Sequence, residues 1–545
     1  MDWRRTSRGT AFPNVLCDFA HRIDLDFDLV YPEDENIIQI PVNVELRAKL
    51  FLHLVMQVTS YYTAAVVEYS AVGNLSVDDP KQVLMMNAER YLGHVSEAAR
   101  SGADIIVFPE CGLSTIHLPQ TRPEIRPLLT PIPDPIQLKN PCLDSSGEVP
   151  EVLSFLACAA RNHSIYVVVN LPEIAHCAGA DCPSDGAFFY NTDIVFDRSG
   201  TLIARYRKYN LFGEPGFNLT STAEISTFNT DFGVRFGMAT CFDIYFHDPI
   251  VQLVQELEIT DIVFPVAWFS ELPFLTAIQI QEGWSRALDV NLLASGYDDP
   301  ANRNGGSAIY AGKLGRVAAT MPLSKTSKLL ISQVPKKTRG LFGNNSPGFS
   351  GSTNIPLEQN RPSNIPSERL FFTDYLAPYT TQLLETTATR AELCNRELCC
   401  QFDVRTEGIP RDPYSASYRL AVFNGIRPFF GGKTGGIQVC AVISCNNMSL
   451  SSCGQPISTT KKLTTFKFIS IQINSSRVNS IHMPSTLLKS ILPLDVDSYE
   501  LTSRNVTDKL THIHLRTTKN IRNLWTFGIY TREYDLDGLP FTAAT

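Results

Sequence analysis

The sequence predicts an α/β domain followed by a smaller β-rich domain. In residues 61–334, short apolar runs of strand length alternate with segments of helical periodicity, which is typical of α/β folds. Residues 335–368 are rich in Pro, Gly and Asn and are typical of a linker. In residues 369–545 strand-like runs and turns replace the helical pattern. Because 545 residues exceed what one hydrophobic core normally holds, separate domains are expected.

Periodicity predicts the elements of the first domain. Residues 83–101 place apolar side chains at helical spacing, whereas the β-branched run 165–170 suits a strand buried on both faces. The segment Asp197-Arg-Ser-Gly200 joins two apolar runs and predicts a hairpin. The predicted strands are 62–68, 105–108, 165–170, 191–196, 202–206, 234–240, 259–266, 292–294 and 329–334; the predicted helices are 83–101, 154–161 and one between residues 240 and 259.

The second domain is predicted from strands and cysteines. Its strand-like runs are 417–422, 436–444, 464–473 and 524–530. Closely spaced cysteines such as Cys394, Cys399 and Cys400 suit a disulfide framework better than zinc, because no His lies at ligand spacing. We therefore expect a β-rich domain crosslinked by disulfides.

Cysteines and glycosylation sequons together favour the secretory pathway. The chain has 13 cysteines, and disulfides persist mainly in oxidising compartments. Asn-x-Ser/Thr triplets are acceptors for N-glycosylation in secreted proteins. The candidates are Asn74, Asn162, Asn218, Asn344, Asn447, Asn474 and Asn505.

The amino-terminal region suggests where a mature chain would begin. Residues 1–46 are mixed and polar, whereas residues 47–60 combine basic residues, an apolar stretch and small residues, as a signal peptide does. We expect 47–60 to be a signal peptide, residues 1–46 to come from an overextended gene start, and the mature chain to begin near Tyr61. The alternative is that 47–60 form an ordinary core segment.

The carboxyl end, 534–545, lacks the hydrophobic tail of a lipid-anchor signal, so secretion without an anchor is expected.

Composition excludes two classes of partner. A formal net charge of −8 offers no basic surface to nucleic acid. No apolar run reaches the roughly 18 residues that a membrane-spanning helix needs. Oligomeric state is left open.

Three apolar runs end in residues with complementary chemistry. Glu110 follows the run 105–108, Lys208 follows 202–206, and Cys241 follows 234–240. Because strand ends in α/β sheets collect catalytic groups, we expect these side chains to converge. A thiol needs a base to become a nucleophile, and the oxyanion it forms needs positive charge. The three residues supply this chemistry without a metal or cofactor.

Each of these residues taken alone has an ordinary alternative. Cys241 suits a buried structural cysteine, Lys208 an exposed lysine, and Glu110 a solvated loop acid. A helix beginning after Cys241 would instead place the sulfur at a helix amino terminus and lower the pKa of the thiol.

Together the segments resemble the nitrilase superfamily and, within it, the vanin and biotinidase branch. The resemblance covers about residues 62–530 and implies a nitrilase-like αββα sandwich in the first domain. It is carried by Ile132-Pro-Asp-Pro135, Asn191-Thr-Asp193, Tyr206-Arg-Lys-Tyr-Asn-Leu-Phe212, Thr240-Cys-Phe-Asp-Ile244, His247-Asp-Pro249, Ile262-Val-Phe-Pro265, Ala267-Trp268 and Leu398-Cys-Cys400.

The resemblance implies a role for each site residue. Cys241 would attack an amide carbon and form a thioester, Glu110 would be the general base and acid, and Lys208 would stabilise the oxyanion. Glu214 resembles a second glutamate that orients the other three. Trp268 would line the acyl pocket, with a core aromatic as the alternative.

Cysteine parity agrees with this assignment. Setting aside Cys241, Cys17 upstream of the expected signal peptide, and Cys111, which has no expected partner, leaves an even set for disulfides of open connectivity. That set is Cys142, Cys158, Cys177, Cys182, Cys394, Cys399, Cys400, Cys440, Cys445 and Cys453. Cys111 also departs from the family pattern, which usually has an acidic residue after the base.

The resemblance therefore implies a secreted amidohydrolase for a small linear amide. Pantetheine and biotin amides such as biocytin are the implied substrates, and the sequence does not choose between them. A carbamoyl-amide hydrolase is a second possibility that the cysteine-rich second domain disfavours. The non-enzymatic alternative is a weakly active or inactive extracellular glycoprotein that acts as a binding protein.

Overall fold

The computed structural model describes residues 60–337, 369–408, 414–476, 479–507 and 510–541. Several predicted features lie outside the described residues: the expected extension 1–46, the signal-peptide residues up to 59, Cys17, Asn344 and linker residues 338–368.

The helices are α1 (Pro80–Arg100), α2 (Arg122–Ile125), α3 (Glu151–His163), α4 (Ile250–Gln255) and α5 (Ala277–Leu288). The strands are β1 (Tyr61–Glu68), β2 (Ile105–Val107), β3 (Tyr166–His176), β4 (Ala187–Phe196), β5 (Leu202–Arg207), β6 (Thr227–Asn229), β7 (Arg235–Met238), β8 (Asp261–Val266), β9 (Glu271–Leu272), β10 (Asn291–Gly296), β11 (Ser307–Ala311), β12 (Arg316–Thr320), β13 (Lys328–Pro335), β14 (Phe372–Thr373), β15 (Thr380–Leu383), β16 (Ala388–Asn395), β17 (Leu398–Thr406), β18 (Ser417–Pro428), β19 (Thr434–Cys445), β20 (Phe466–Ser475), β21 (Ser480–Leu488), β22 (Tyr499–Thr507), β23 (Leu510–Thr517) and β24 (Leu524–Glu533).

Two six-stranded mixed sheets form the first domain. Their orders are β13-β1-β2-β3-β4-β5 and β12-β11-β10-β8-β7-β6. In each sheet three central strands are parallel, namely β1, β2 and β3 in one and β10, β8 and β7 in the other. The hairpin predicted at Asp197–Gly200 joins the antiparallel strands β4 and β5. Parallel neighbours bring the carboxyl ends of several strands to one edge of each sheet, where the candidate catalytic residues follow.

Because side chains alternate between the two faces of each strand, the sheets of the first domain separate distinct hydrophobic layers. In β1, Tyr62, Ala64 and Val66 belong to the core between the two sheets, whereas Ala65 and Val67 face the core under α1 and α3. Successive strand residues point to opposite faces, so a strand buried on both faces is apolar throughout. On the far side, α4 and α5 pack against the outer face of the second sheet. The predicted αββα sandwich is therefore confirmed.

The second domain is a sandwich of two five-stranded antiparallel sheets. Their orders are β15-β18-β19-β24-β21 and β16-β17-β20-β23-β22. Apolar residues of both sheets fill the space between them. The outer face of the first of these sheets shares a core with α4 and α5, and the carbonyl of Pro484 approaches Gly283 of α5 so closely that a Cβ there would lie 2.8 Å from it. The β-rich domain predicted from the sequence is thus confirmed, and it lies on the helices of the first domain.

Ten cysteines form five disulfides among the described residues, and Cys111 and Cys241 are free and buried. The pairs are Cys142–Cys158, Cys177–Cys182, Cys394–Cys399, Cys400–Cys440 and Cys445–Cys453. Cys400–Cys440 joins the two sheets of the second domain, since Cys400 lies in β17 and Cys440 in β19. Cys394–Cys399 instead closes a single hairpin between β16 and β17.

The sequon asparagines differ in their surroundings. Five of the six that are described are exposed, namely Asn74, Asn162, Asn447, Asn474 and Asn505. Asn218 is partly buried, and its Oδ1 accepts hydrogen bonds from Arg122 at 2.9 Å and from the Phe189 N–H at 2.8 Å. The exposed five are the better candidates for glycan attachment.

Removal of disulfides is expected to destabilise the second domain in proportion to loop length. Replacing Cys400 and Cys440 with Ala opens a loop of 40 residues and should cost about 4 kcal/mol, because a longer crosslinked loop restricts the unfolded chain more. Replacing Cys394 and Cys399, only five residues apart, should cost about 2 kcal/mol by the same reasoning. Urea unfolding followed by circular dichroism measures both. Equal losses for the two pairs would contradict the loop-length explanation.

Candidate active site

Glu110, Lys208 and Cys241 lie just beyond the carboxyl ends of β2, β5 and β7. The first two strands belong to one sheet and the third to the other, so the site lies where the two sheets meet. All three side chains line one cavity of about 540 Å³. The structure thus brings together the three residues that the sequence selected.

Glu110 is the centre of the contacts. Its Oε1 accepts hydrogen bonds from Lys208 Nζ at 2.6 Å and from Asn191 Nδ2 at 2.9 Å. Its Oε2 accepts one from the backbone N–H of Ala267 at 3.0 Å, and the carboxylate lies close enough to the Cys241 thiol to raise its pKa. The carboxylate is therefore held in place by three donors while it faces the sulfur.

Glu214 shares the cation with Glu110. Its Oε1 hydrogen-bonds Lys208 Nζ, and its Oε2 accepts from Asn191 Nδ2 at 3.3 Å. Burial raises the pKa of Glu214, and the Lys208 ammonium opposes that shift. Glu214 therefore lies in one buried cluster with Glu110 and Lys208.

Lys208 carries its charge deep in the protein. Its side chain is 1% exposed. Burial alone would lower the pKa of Lys208, but the carboxylates of Glu110 and Glu214 raise it well above its ordinary value. An ammonium between two carboxylates stays protonated across the physiological range, and a fixed positive charge in a buried site stabilises an oxyanion strongly.

Cys241 begins a short 3₁₀ helix instead of an α-helix, which corrects one expectation. Residues Cys241–Tyr245 form a 3₁₀ helix that ends before α4, and Cys241 has φ +47°, which is uncommon for a non-glycine residue. Burial raises the pKa of the Cys241 thiol well above its ordinary value, and the Glu110 carboxylate raises it further. The predicted lowering by a helix amino terminus was wrong, because a single turn supplies little dipole and the sulfur is buried beside a carboxylate. The thiol is therefore protonated at neutral pH and needs a base.

Asp243 joins the turn that bears Cys241 to the loop that bears Lys208. Its Oδ2 accepts from the Thr240 N–H at 2.9 Å and from the Tyr206 hydroxyl at 2.7 Å, and its Oδ1 accepts from the Asn210 N–H at 2.9 Å. Tyr206 and Asn210 flank Lys208. These contacts fix the distance between nucleophile and cation.

A second group of polar side chains supports Asn191. Asn170 Nδ2 donates to Asn191 Oδ1 at 2.6 Å and to Asp193 Oδ1 at 2.8 Å, and Asp193 Oδ2 accepts from the Thr240 hydroxyl at 2.6 Å. Asn191 is thereby oriented with its amide N–H groups toward the two glutamates. Sequence reasoning gave these residues no role. Two features of the sequence could have indicated them: Asn170 at the end of the β-branched run 165–170, and the segment Asn191-Thr-Asp193.

Trp268 and Cys111 form parts of the cavity wall. Trp268 is mostly buried, and its indole N–H donates to the Leu275 carbonyl at 2.9 Å, so it is both a core residue and a wall residue. Burial raises the pKa of the Cys111 thiol, and the Glu110 and Glu214 carboxylates raise it further. Cys111 is therefore a neutral side chain beside Glu110.

The second domain supplies the rest of the wall, which the sequence did not predict. Arg427, Phe429, Phe430 and Phe372 line the cavity together with the residues of the first domain. Arg427 pairs with Glu271 and, at 2.9 Å, with Asp374. Burial raises the pKa of Glu271 to about 7, although the Arg427 guanidinium opposes that shift. Most of the remaining lining is apolar and aromatic.

One group outside this cavity has metal-ligand spacing among the described residues. Glu392, Cys394 and Cys399 lie close enough to share an ion, but both cysteines are joined in a disulfide. Thiolate ligation at that position is therefore excluded in the folded, oxidised protein. No helix within the described ranges is long and apolar enough to cross a membrane.

Comparison with known proteins gives consistent matches over both domains. Residues 64–270 match the carbon-nitrogen hydrolase family and residues 369–537 match the vanin C-terminal domain. Vanin-like protein 1 of Drosophila melanogaster is 35% identical over 509 residues, which is 88% of this chain and 86% of that protein. Pantetheinases of Sus scrofa and Homo sapiens are 36% and 35% identical, over 73% of this chain and 75% and 77% of their own lengths.

The protonation state of Cys241 leads to a pH prediction. Because burial and the Glu110 carboxylate raise the pKa of the thiol, iodoacetamide should alkylate Cys241 of the folded protein increasingly above pH ~8.5, the ordinary thiol value. Peptide mass mapping at each pH separates Cys241 from Cys111, and a short Cys-containing peptide is the reference. An inflection well below that of the reference peptide would mean a stable thiolate–ammonium pair and would contradict the assignment.

Proposed function

Because this chain belongs to the vanin family of carbon–nitrogen hydrolases, we propose that it hydrolyses a small linear amide through a thioester on Cys241. The relatives include pantetheinases, and the proposed substrates are pantetheine, which would yield pantothenate and cysteamine, or a biotin amide such as biocytin. The proposal is supported by the geometry around Glu110, whose carboxylate accepts a hydrogen bond from the Lys208 ammonium at 2.6 Å and lines the same cavity as the Cys241 thiol.

In the first half-reaction, the Glu110 carboxylate accepts the proton of the Cys241 thiol as the sulfur attacks the amide carbon. The tetrahedral oxyanion that forms lies beside the Lys208 ammonium, whose charge is retained because two carboxylates raise its pKa. Protonated Glu110 then gives its proton to the leaving nitrogen. The carbon–nitrogen bond breaks, the amine departs, and the acyl group remains as a thioester.

The second half-reaction reverses the roles. Glu110 accepts a proton from a water molecule that attacks the thioester carbon, and Lys208 again stabilises the oxyanion. The carbon–sulfur bond breaks, the sulfur recovers the proton, and the carboxylic acid leaves. Glu214 acts as a positioning residue, because its hydrogen bonds are with Lys208 and Asn191, which hold it beside the reacting groups.

The cavity suits a small linear substrate. Its volume of about 540 Å³ lies within the range of about 300–1,000 Å³ typical of small-molecule sites. Trp268 and several Phe side chains provide apolar contact area for a chain of methylene groups. Trp268 is proposed as part of the acyl pocket.

We also propose that the protein is secreted. Five disulfides among the described residues suit an oxidising compartment. Exposed Asn74, Asn162, Asn447, Asn474 and Asn505 are the proposed glycosylation sites. Amino-terminal sequencing of protein from culture medium tests the start near Tyr61, and a start near Met1 would contradict it.

Substitutions in the catalytic cluster should distinguish the role of the Cys241 nucleophile from that of the Lys208 charge. Cys241→Ala should abolish release of cysteamine or lysine from pantetheine or biocytin, whereas Cys111→Ala should keep measurable turnover. Lys208→Arg should lower kcat by about 10²–10³-fold, because a planar guanidinium does not place its charge at the ammonium position. Steady-state amine release by chromatography measures each effect.

Matched controls make that result interpretable. Lys325→Arg repeats the same exchange at a lysine whose side chain is 52% exposed and should leave kcat unchanged. Thermal unfolding verifies that each variant is folded. Turnover that survives in Cys241→Ala would remove the thiol from the reaction, and no turnover of either substrate by the unaltered protein would favour the alternative of an inactive binding protein.

A further inference from the structure

The loop between β18 and β19 of the second domain reaches the mouth of the catalytic cavity. Its residues 429–433, here called the strap, include Phe429 and Phe430, both of which line the cavity. The Phe430 side chain is 64% exposed, yet its ring lies 5.0 Å from that of Phe212 of the first domain. Phe430 is therefore an exposed aromatic side chain at the cavity mouth that packs on the first domain.

Two glycines let the strap approach the catalytic loop closely. A Cβ at Gly213, next to Glu214, would lie 2.5 Å from the Phe430 ring, and a Cβ at Gly431 would lie 2.7 Å from the Gly213 nitrogen. Both glycines have positive φ, +63° and +77°, which other residues adopt at a cost. The two domains are therefore in backbone contact beside the catalytic cluster.

The strap is held on both sides. Lys433 Nζ donates to Asn210 Oδ1 at 2.7 Å, and Asn210 is bound in turn to Asp243 at 2.9 Å. Before the strap, Arg427 pairs with Glu271 of the first domain and with Asp374. The strap is thus fixed relative to the loop that carries Lys208 and the turn that carries Cys241.

Aromatic rings join the nucleophile to the second domain. Phe242, adjacent to Cys241, lies edge-on to Phe212 at 4.9 Å, and Phe212 stacks with Phe269 at 5.6 Å. The Phe269 ring in turn lies 6.2 Å from that of Phe372, and Phe212 also contacts Phe430. An apolar wall of this kind contributes binding energy in proportion to the chain it covers.

We propose that the strap, with Phe430 and Phe372, forms the outer wall of the acyl-binding part of the cavity and makes the protein select extended acyl chains over short ones. The inference rests on the proposed function. The series of rings begins at Phe242, next to the residue whose sulfur retains the acyl group after the amine has left, which is why the proposal assigns the wall to the acyl chain. The second domain thereby determines specificity at a site whose chemistry belongs to the first.

Ligand binding tests the wall without requiring turnover. Calorimetry on Cys241→Ala should show hexanamide binding at least about tenfold more tightly than acetamide, since each added methylene gains affinity on an apolar wall. N-hexylacetamide, which extends the amine instead, should gain much less. Adding Phe430→Ala should reduce the hexanamide-to-acetamide ratio about fivefold, and Gly431→Ala, which displaces the strap, should also reduce it.

Ile136→Ala is the matched control, because Ile136 is an exposed apolar side chain, 85% accessible, that does not line the cavity. It should leave the ratio unchanged, and thermal unfolding verifies folding of each variant. A ratio unaffected by Phe430→Ala, or a larger gain for N-hexylacetamide than for hexanamide, would overturn the proposal. A different result would separate the two proposals. If the unaltered protein hydrolysed no amide but Cys241→Ala still preferred hexanamide to acetamide, the proposed function would be refuted and the wall would remain supported.

Discussion

The buried cluster of Glu110, Lys208 and Glu214 is the interaction on which the rest of the site depends. Two carboxylates and one ammonium leave water at a considerable desolvation cost, which hydrogen bonds and close pairing must offset. Asn191 donates to both carboxylates, and the Ala267 N–H completes the shell of Glu110. Removing Lys208 would leave two buried carboxylates without a counter-charge, whereas removing one glutamate would leave the ammonium paired with the other. The cluster therefore needs a rigid scaffold, and it keeps Lys208 charged and Glu110 placed against the thiol.

The fold supplies that scaffold through two sheets and a second domain. Parallel strands bring Glu110 and Cys241 to strand ends of different sheets, and Asp243 connects the Cys241 turn to the Lys208 loop. The second domain shares a core with α4 and α5, which fixes Arg427 and the strap over the cavity. Chemistry and the shape of the pocket thus come from different domains, and their contact is a structural requirement of the complete site.

Patterns within short stretches of sequence were sufficient to predict the elements and residues that depend only on their neighbours in the chain. Continuous β-branched runs predicted β3 and β8, and strand-terminal Glu110, Lys208 and Cys241 indicated the site. Among the strands that were not predicted are β11, which is short and rich in small residues, and β16, which alternates exposed and half-buried residues. The pKa of Cys241 was predicted in the wrong direction, since burial and the turn type appear only in the folded chain. Phe430 and Phe372 could not be identified, because their partners Phe212 and Phe269 are remote in sequence.

In the proposed reaction, the protonated thiol of Cys241 becomes the acyl carrier through proton transfer to Glu110. Rapid acid quenching of the protein during turnover of pantetheine or biocytin, followed by peptide mass spectrometry, tests it most directly. An added acyl mass is expected on the Cys241 peptide of the unaltered protein, and this mass should be lost when Glu110 is replaced by Gln. Turnover with no covalent adduct, or an adduct on Cys111, would contradict it.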